Sequence, residues 1–211
     1  WKKSLLRAPV GINYMEQLLK RSEDILAMHP DIFREKQAVS GLEVPSALIL
    51  VENCRAWEKT LTAPFTVFGH GDFNINNILF DEVNQSIHFI DLYRSGPADY
   101  VADIAVIMIS NFRLPIFERG LREKLNLVIA EIYRFAREFA AVQNDHCFDL
   151  RLGLALVRSF YTSTRFEQNH KFAREMALRA LFLLEKIDSW RKSKASQEAF
   201  VLPKDMLYYS V

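Results

Sequence analysis

His70, Asp72, Asn74, Asn76 and Asn77 crowd polar side chains between two short apolar runs, Phe65-Thr66-Val67-Phe68 and Ile78-Leu79-Phe80. These residue types suit chemistry at phosphate oxygen. The carboxylate of Asp72 could take a proton from an attacking hydroxyl. The side-chain oxygen of Asn77 and the carboxylate of Asp91 are hard ligands, suited to Mg²⁺ that also holds phosphate oxygens. Phosphoryl transfer depends mainly on such positioning and charge neutralisation.

Bringing these groups together requires a hairpin. Residues 66–69, 77–80 and 86–91 read as extended, and 81–85 as the turn joining the last two, so Asp91 returns towards Asn77. A buried helix is expected from about Ala98 to Ser110. Before the loop, apolar spacing predicts one helix from Asn13 to about Met28 and a second from about Ser46 to Lys59, with Pro45 near its first turn and Leu48, Ile49, Val51, Cys54, Ala56 and Trp57 available for burial. After the loop, long helices are expected near 115–142, 148–168 and 171–194. The aromatic residues Phe112, Phe117, Tyr133, Phe135, Phe139, Phe160, Tyr161 and Phe166 read as core.

The expected fold class is mainly α with a small β-strand cluster (α+β), in one domain, 1–211. Leading helices occupy 1–64, the catalytic loop and metal-binding segment 65–110, a helical acceptor-binding region 111–199, and a tail 200–211 that packs as an arm or frays.

Lys and Arg number 27 against 26 Asp and Glu, a net charge of +1, so no nucleic-acid or membrane-surface partner is expected. Cys54 and Cys147 lie far apart and read as two buried thiols in a reducing compartment. No apolar stretch is long enough for a signal peptide or a membrane span, and a cytoplasmic location is expected.

Asn77 follows Asp72 by five residues, the separation found in the H-R-D-x-x-x-x-N catalytic loop of protein kinases. With FGHGDFNINNILFD and IHFIDLYRSGPADYVADIA on the page, the chain resembles the aminoglycoside phosphotransferase and choline kinase family of small-molecule kinases, which share the protein kinase fold. The resemblance implies that Asp72 is the catalytic Asp, that Asn77 and Asp91 bind metal and with it ATP, that His70 packs and hydrogen-bonds beneath them, and that Asp103 braces the loop. It implies ATP and Mg²⁺ as cofactors and a small-molecule hydroxyl acceptor, such as an aminoglycoside, choline or a sugar. Its motifs cover roughly residues 65 to 110.

Several residues also have plainer readings. His70 reads as structural, because oxygen donors already supply the metal chemistry. Asn74 and Asn76 satisfy loop backbone, and His88 has a packing role. Arg94 meets phosphate, braces Asp99 or forms a surface ion pair. His29, His146 and His170 have no partners at useful spacing. Glu131, Glu138 and Asp145 might suit a cationic acceptor, but they alternate with Arg134 and Arg137 and read as a solvated face.

The family also has an N-terminal lobe with a loop over the nucleotide phosphates and a strand Lys held by a helix Glu. The 69 residues before His70 look helical and show neither. The chain thus resembles the C-terminal lobe alone. It begins at Trp1 rather than Met, and a fragment of a longer kinase is expected, incomplete or inactive by itself. The alternative is a catalytically incomplete, pseudokinase-like binding module. A metal-dependent phosphohydrolase ranks last, for want of further metal ligands.

Overall fold

The computed structural model describes residues 9–32, 36–39, 42–193 and 198–209. In chain order its elements are β1 (Val10–Gly11), α1 (Tyr14–Leu19), α2 (Ser22–Met28), β2 (Lys36–Val39), β3 (Leu42–Pro45), α3 (Ala47–Glu58), β4 (Thr62–Ala63), β5 (Val67–Gly69), β6 (Ile78–Asp81), β7 (Ser86–Phe89), β8 (Gly96–Ala98), α4 (Tyr100–Phe112), α5 (Arg119–Val142), α6 (Phe148–Thr164) and α7 (His170–Lys192). The architecture is mainly helical, with small antiparallel two-stranded pairs: β1 with β4, β2 with β3, β5 with β8 and β6 with β7. No helix among the described residues is long and apolar enough to cross a membrane.

α6 is the central element. Its sequence, FDLRLGLALVRSFYTST, is apolar on nearly every face, and all its residues except Arg158 are buried. It packs against α7, α4 and α1. At Gly153 a Cβ would lie 3.1 Å from Ile187 Cδ1, so the missing side chain lets α6 approach α7 closely. Ser46, Asp99, Glu118 and Asn169 cap α3, α4, α5 and α7 through side-chain oxygens that accept first-turn N–H groups.

Charged groups inside the core have hydrogen-bond partners. Arg151 is fully buried and donates to Asp99 at 3.0 and 3.2 Å and to Asp145 at 3.0 and 2.8 Å. Tyr14 donates to Asp99 and Tyr100 to Asp145. The network joins α1, the start of α4 and α6. Glu58, also buried, accepts the N–H groups of Tyr14 and Met15, which fixes the start of α1 against the end of α3. Burial pushes the Glu58 carboxyl up to about 7, against the pull of those two backbone donors.

The structure corrects several expectations. The single helix from Asn13 to Met28 is two helices, broken where the polar run Lys20-Arg21-Ser22-Glu23-Asp24 offers no buried anchor and the Ser22 hydroxyl bonds the Leu19 carbonyl. The stretch expected to be helical before the loop contains the paired strands β2 and β3; Gly41, the N-terminal residues 1–8, Lys194 and residues 210–211 lie outside the described residues. In α3, Ile49 is exposed while Ala47 and Leu50 join the core. Residues 165–168 leave the helix in a turn after Thr164. Cys147 is exposed; Cys54 is buried as expected.

Phe117, Phe135 and Phe166 are exposed, not core. Phe166 lies beyond the end of α6, between the guanidinium groups of Arg113 and Arg165. His29 and His170 meet each other, Nδ1 to Nδ1 at 3.0 Å, and the other nitrogen of His29 lies near the Thr164 and Glu167 carbonyls. The tail packs as an arm: Phe200, Leu202, Met206, Leu207 and Tyr209 are buried, and Asn126 and Tyr209 exchange two hydrogen bonds.

Candidate functional site

β5 and β6 bracket residues 70–77, and their partners set the frame. β8 holds β5 in the register Val67↔Ala98, a pairing that the sequence reading, with a helix beginning at about Ala98, does not include. The β6–β7 register Ile78↔Phe89, continued by Ile90 N–H to the Asn77 carbonyl at 3.1 Å, brings the backbone before Asp91 beside Asn77, as the hairpin argument requires.

Within that frame the loop backbone is tied at nearly every residue. The Asp103 carboxylate, on the first turn of α4, accepts the N–H groups of His70 at 2.7 Å and Gly71 at 3.0 Å. Burial raises the Asp103 carboxyl above its ordinary range, and those two donors offset part of the rise. Ser95 donates to the His70 carbonyl, and Ser110 accepts Ile75 N–H. Gly71 has φ +82°, and a Cβ there would run into the Arg94 carbonyl, so only glycine fits without strain.

Asp72 is partly exposed. One of its carboxylate oxygens accepts from Asn74 at 3.2 Å and the other pairs with Arg94 at 3.4 Å. Its main-chain carbonyl accepts Asn77 Nδ2 at 2.8 Å, which commits the amide nitrogen of Asn77 to the loop and leaves the oxygen as its ligand atom. Asn77 itself is 8 % exposed; the Asn74 side chain bonds the Asp72 carbonyl and accepts the Asn76 N–H, as expected of it, whereas Asn76 enters these bonds through its main chain. Asp91 is exposed and left-handed, φ 59° and ψ 49°. His70 Nδ1 accepts Asp72 N–H at 3.3 Å, and its ring contacts Phe73 and Phe89. Its Nε2 is buried with no hydrogen-bond partner among the described residues.

Two cavities flank the loop. The larger, about 1260 Å³, is mainly apolar and bounded by His70, Phe89, Asp103 and the exposed faces of Phe68 and Ile87. The smaller, about 590 Å³, has Asp72 in its wall. Arg94 therefore pairs with Asp72, whereas Asp99 is held by Arg151 and Tyr14. His88 is exposed, with its Nε2 2.9 Å from the Ser86 hydroxyl, and is not part of the packed core expected of it. Glu131 and Glu138 do pair with Arg134 on a solvated face, but Asp145 is in the buried Arg151 network.

Arg21, Arg113, Arg158 and Arg165, all in the wall of the smaller cavity, are not marked by any sequence motif. A seven-residue spacing relates Arg158 to Arg165, but it relates both equally to Arg151, which belongs to the buried network and not to this wall, and no spacing in the sequence leads to Arg21 or Arg113.

Among the described residues no three His, Cys, Asp or Glu side chains gather into a cation cage. Mg²⁺ bound with a nucleotide does not need one, since it uses one or two protein oxygens together with phosphate oxygens and water. The side-chain oxygens of Asn77 and Asp91 are donors of that kind. No curated protein and no solved structure matches the chain. The family model described as "Phosphotransferase enzyme family" matches residues 19–142, a span that holds the whole loop, both edges of its hairpin and Asp103. With more than half its residues matched and its loop built around Asp72 and Asn77, the chain belongs to the phosphotransferase enzyme family, in keeping with its likeness to aminoglycoside phosphotransferases and choline kinases.

Proposed function

We propose that the chain is the catalytic lobe of an ATP- and Mg²⁺-dependent kinase that phosphorylates a hydroxyl of a small molecule, working with an N-terminal lobe of the same parent chain. The observation that carries this reading is the immobilised loop. Asp103, Ser95, Ser110 and Asn77 all fix backbone around Asp72, while the Asp72 carboxylate stays accessible in a cavity wall. Such preorganisation is what phosphoryl transfer asks of a protein.

In this reading Asp72 orients the acceptor hydroxyl and takes its proton as the acceptor oxygen bonds to the γ-phosphorus. The bond from that phosphorus to the β–γ bridging oxygen breaks, and its electron pair leaves with ADP. Asn77, through its oxygen, and Asp91 would hold Mg²⁺, which when bound would supply charge neutralisation for the phosphate. The ion pair of Arg94 with Asp72 is half exposed and weak enough to yield to an incoming substrate. The left-handed conformation of Asp91 supports a functional position, since non-glycine residues seldom hold it without cause. The exposed apolar faces of Phe68, Ile87 and Phe89 suit a nucleotide base and a covering lobe. A cytoplasmic setting supplies ATP and keeps both cysteines reduced.

The test follows phosphate transfer from ATP to a panel of hydroxyl compounds by the intact protein, alongside Asn77→Ala and Asp91→Ala. Both variants are expected to need more Mg²⁺ and to bind Mn²⁺, used as a spectroscopic probe, more weakly. Unchanged metal binding together with undiminished transfer in both would sink the assignment.

A further inference from the structure

The cavity beside Asp72 is lined by five arginines, Arg21, Arg94, Arg113, Arg158 and Arg165, against the single carboxylate of Asp72. The whole chain carries a net charge of only +1, so this is a local concentration of positive charge. Arg94 pairs with Asp72; among the described residues none of the other four forms an ion pair. Arg158 donates to Gln17 at 2.9 Å and to Ser159 at 3.0 Å and stacks on Tyr14, all neutral partners. Arg113 and Arg165 flank the exposed ring of Phe166. Burial lowers the pKa of Arg113, Arg158 and Arg165 first, and for Arg165 repulsion from Arg21, Arg94 and Arg113 adds to it. Asp24 acts on Arg165, Glu167 on Arg113, and Asp103 and Glu58 on Arg158, each at a distance and without an ion pair.

Crowding guanidinium groups round one cavity, three of them partly buried and without an ion-pair partner among the described residues, is unfavourable unless something the site binds offsets it. Arginine is the side chain best suited to grip carboxylate and phosphate, by paired N–H donors. The cavity has the size of a small-molecule site. We infer that the phosphate acceptor is an anionic hydroxyl compound, a hydroxy-carboxylate or a phosphate ester of a polyol, held by Arg113, Arg158 and Arg165 with its hydroxyl at Asp72. This rests on the reading of Asp72 as the residue facing the acceptor, and it narrows the acceptor away from cations such as choline and aminoglycosides. None of the three acidic residues that might have served a cation is left for one, since each is paired with an arginine.

The intact protein would be titrated calorimetrically, without nucleotide, with glycerate, glycerol 3-phosphate, inorganic phosphate and choline. Binding of at least one anion and none of choline is expected. Arg113→Gln and Arg165→Gln, both at partly exposed positions and checked for unchanged melting, should each weaken anion binding by about tenfold, the loss of one charge-assisted contact. Added salt should weaken it as well. Tighter binding of choline than of every anion, no anion binding, or anion affinity unchanged in both variants would overturn the inference. Stronger binding of glycerate than of the phosphate probes would assign the carboxylate form, and the reverse the phosphate ester. Arginine-dependent anion binding alongside transfer that survives Asp72→Asn would sink the catalytic reading and leave the anion pocket standing. Transfer to choline that needs Asp72 and neither arginine would do the opposite.

Discussion

Gly71 links backbone conformation to the placement of Asp72. With φ +82° and the Arg94 carbonyl against its α-carbon, Gly71→Ala forces the loop away from residues 92–95. A cost of about 1–3 kcal/mol is expected, read as an earlier urea midpoint. Asp103 does the complementary work from α4. Asp103→Ala leaves the N–H groups of His70 and Gly71 without their acceptor, and about 1–3 kcal/mol should be lost, together with most transfer activity. Asp103→Asn keeps one acceptor oxygen and should fall between. Equal stability of wild type and Asp103→Ala would show that the loop does not depend on this carboxylate. The spacing of Asp72 and Asn77 was legible in the sequence because the chemistry is local. The arginines of the neighbouring cavity were not, because Arg21 lies between α1 and α2, Arg113 at the end of α4 and Arg158 within α6, and they meet only in the folded chain.

Elements meet through buried charge. Arg151 joins α6 to the start of α4 by way of Asp99, and α4 carries Asp103, so damage to the network should reach the loop. Arg151→Ala strands two buried carboxylates and is expected to cost about 3–5 kcal/mol, seen as a large fall in melting temperature. Glu58 gives a pH signature. Its folded carboxyl sits at about 7, above an ordinary value of 4.5, so between these pH values the folded chain holds a proton that the unfolded chain has released. Stability from this residue therefore falls as pH rises through that window. Glu58→Gln should flatten that part of the profile, and identical pH–stability curves for the two proteins would refute the assignment. The long helices were legible from their periodicity. β5 was read as extended, but its partner β8 and the pair β1–β4 were not, because strands of two or three residues carry no alternation and the partners lie far off in sequence.

At the scale of the whole molecule, the chain is a helical body with one tied loop between an apolar cavity and a cationic one. The tail strengthens that body: Arg179 donates to the Asp205 and Tyr208 carbonyls, and the Tyr209 hydroxyl donates to Glu175. Removing residues 198–211 exposes Phe200, Leu202 and Met206 partners in the core and should lower the melting temperature and increase aggregation. Composition left the tail undecided between packing and fraying, because its apolar residues follow no periodic pattern that names a partner. The most direct test of the central claim is single-turnover transfer of the γ-phosphate of ATP by the intact protein and by Asp72→Asn, over anionic, neutral and cationic hydroxyl acceptors. Transfer to an acceptor by the wild type, reduced about 10²–10⁴-fold in the variant with ATP affinity little changed, is the expected result. Transfer that proceeds undiminished in Asp72→Asn would contradict the account.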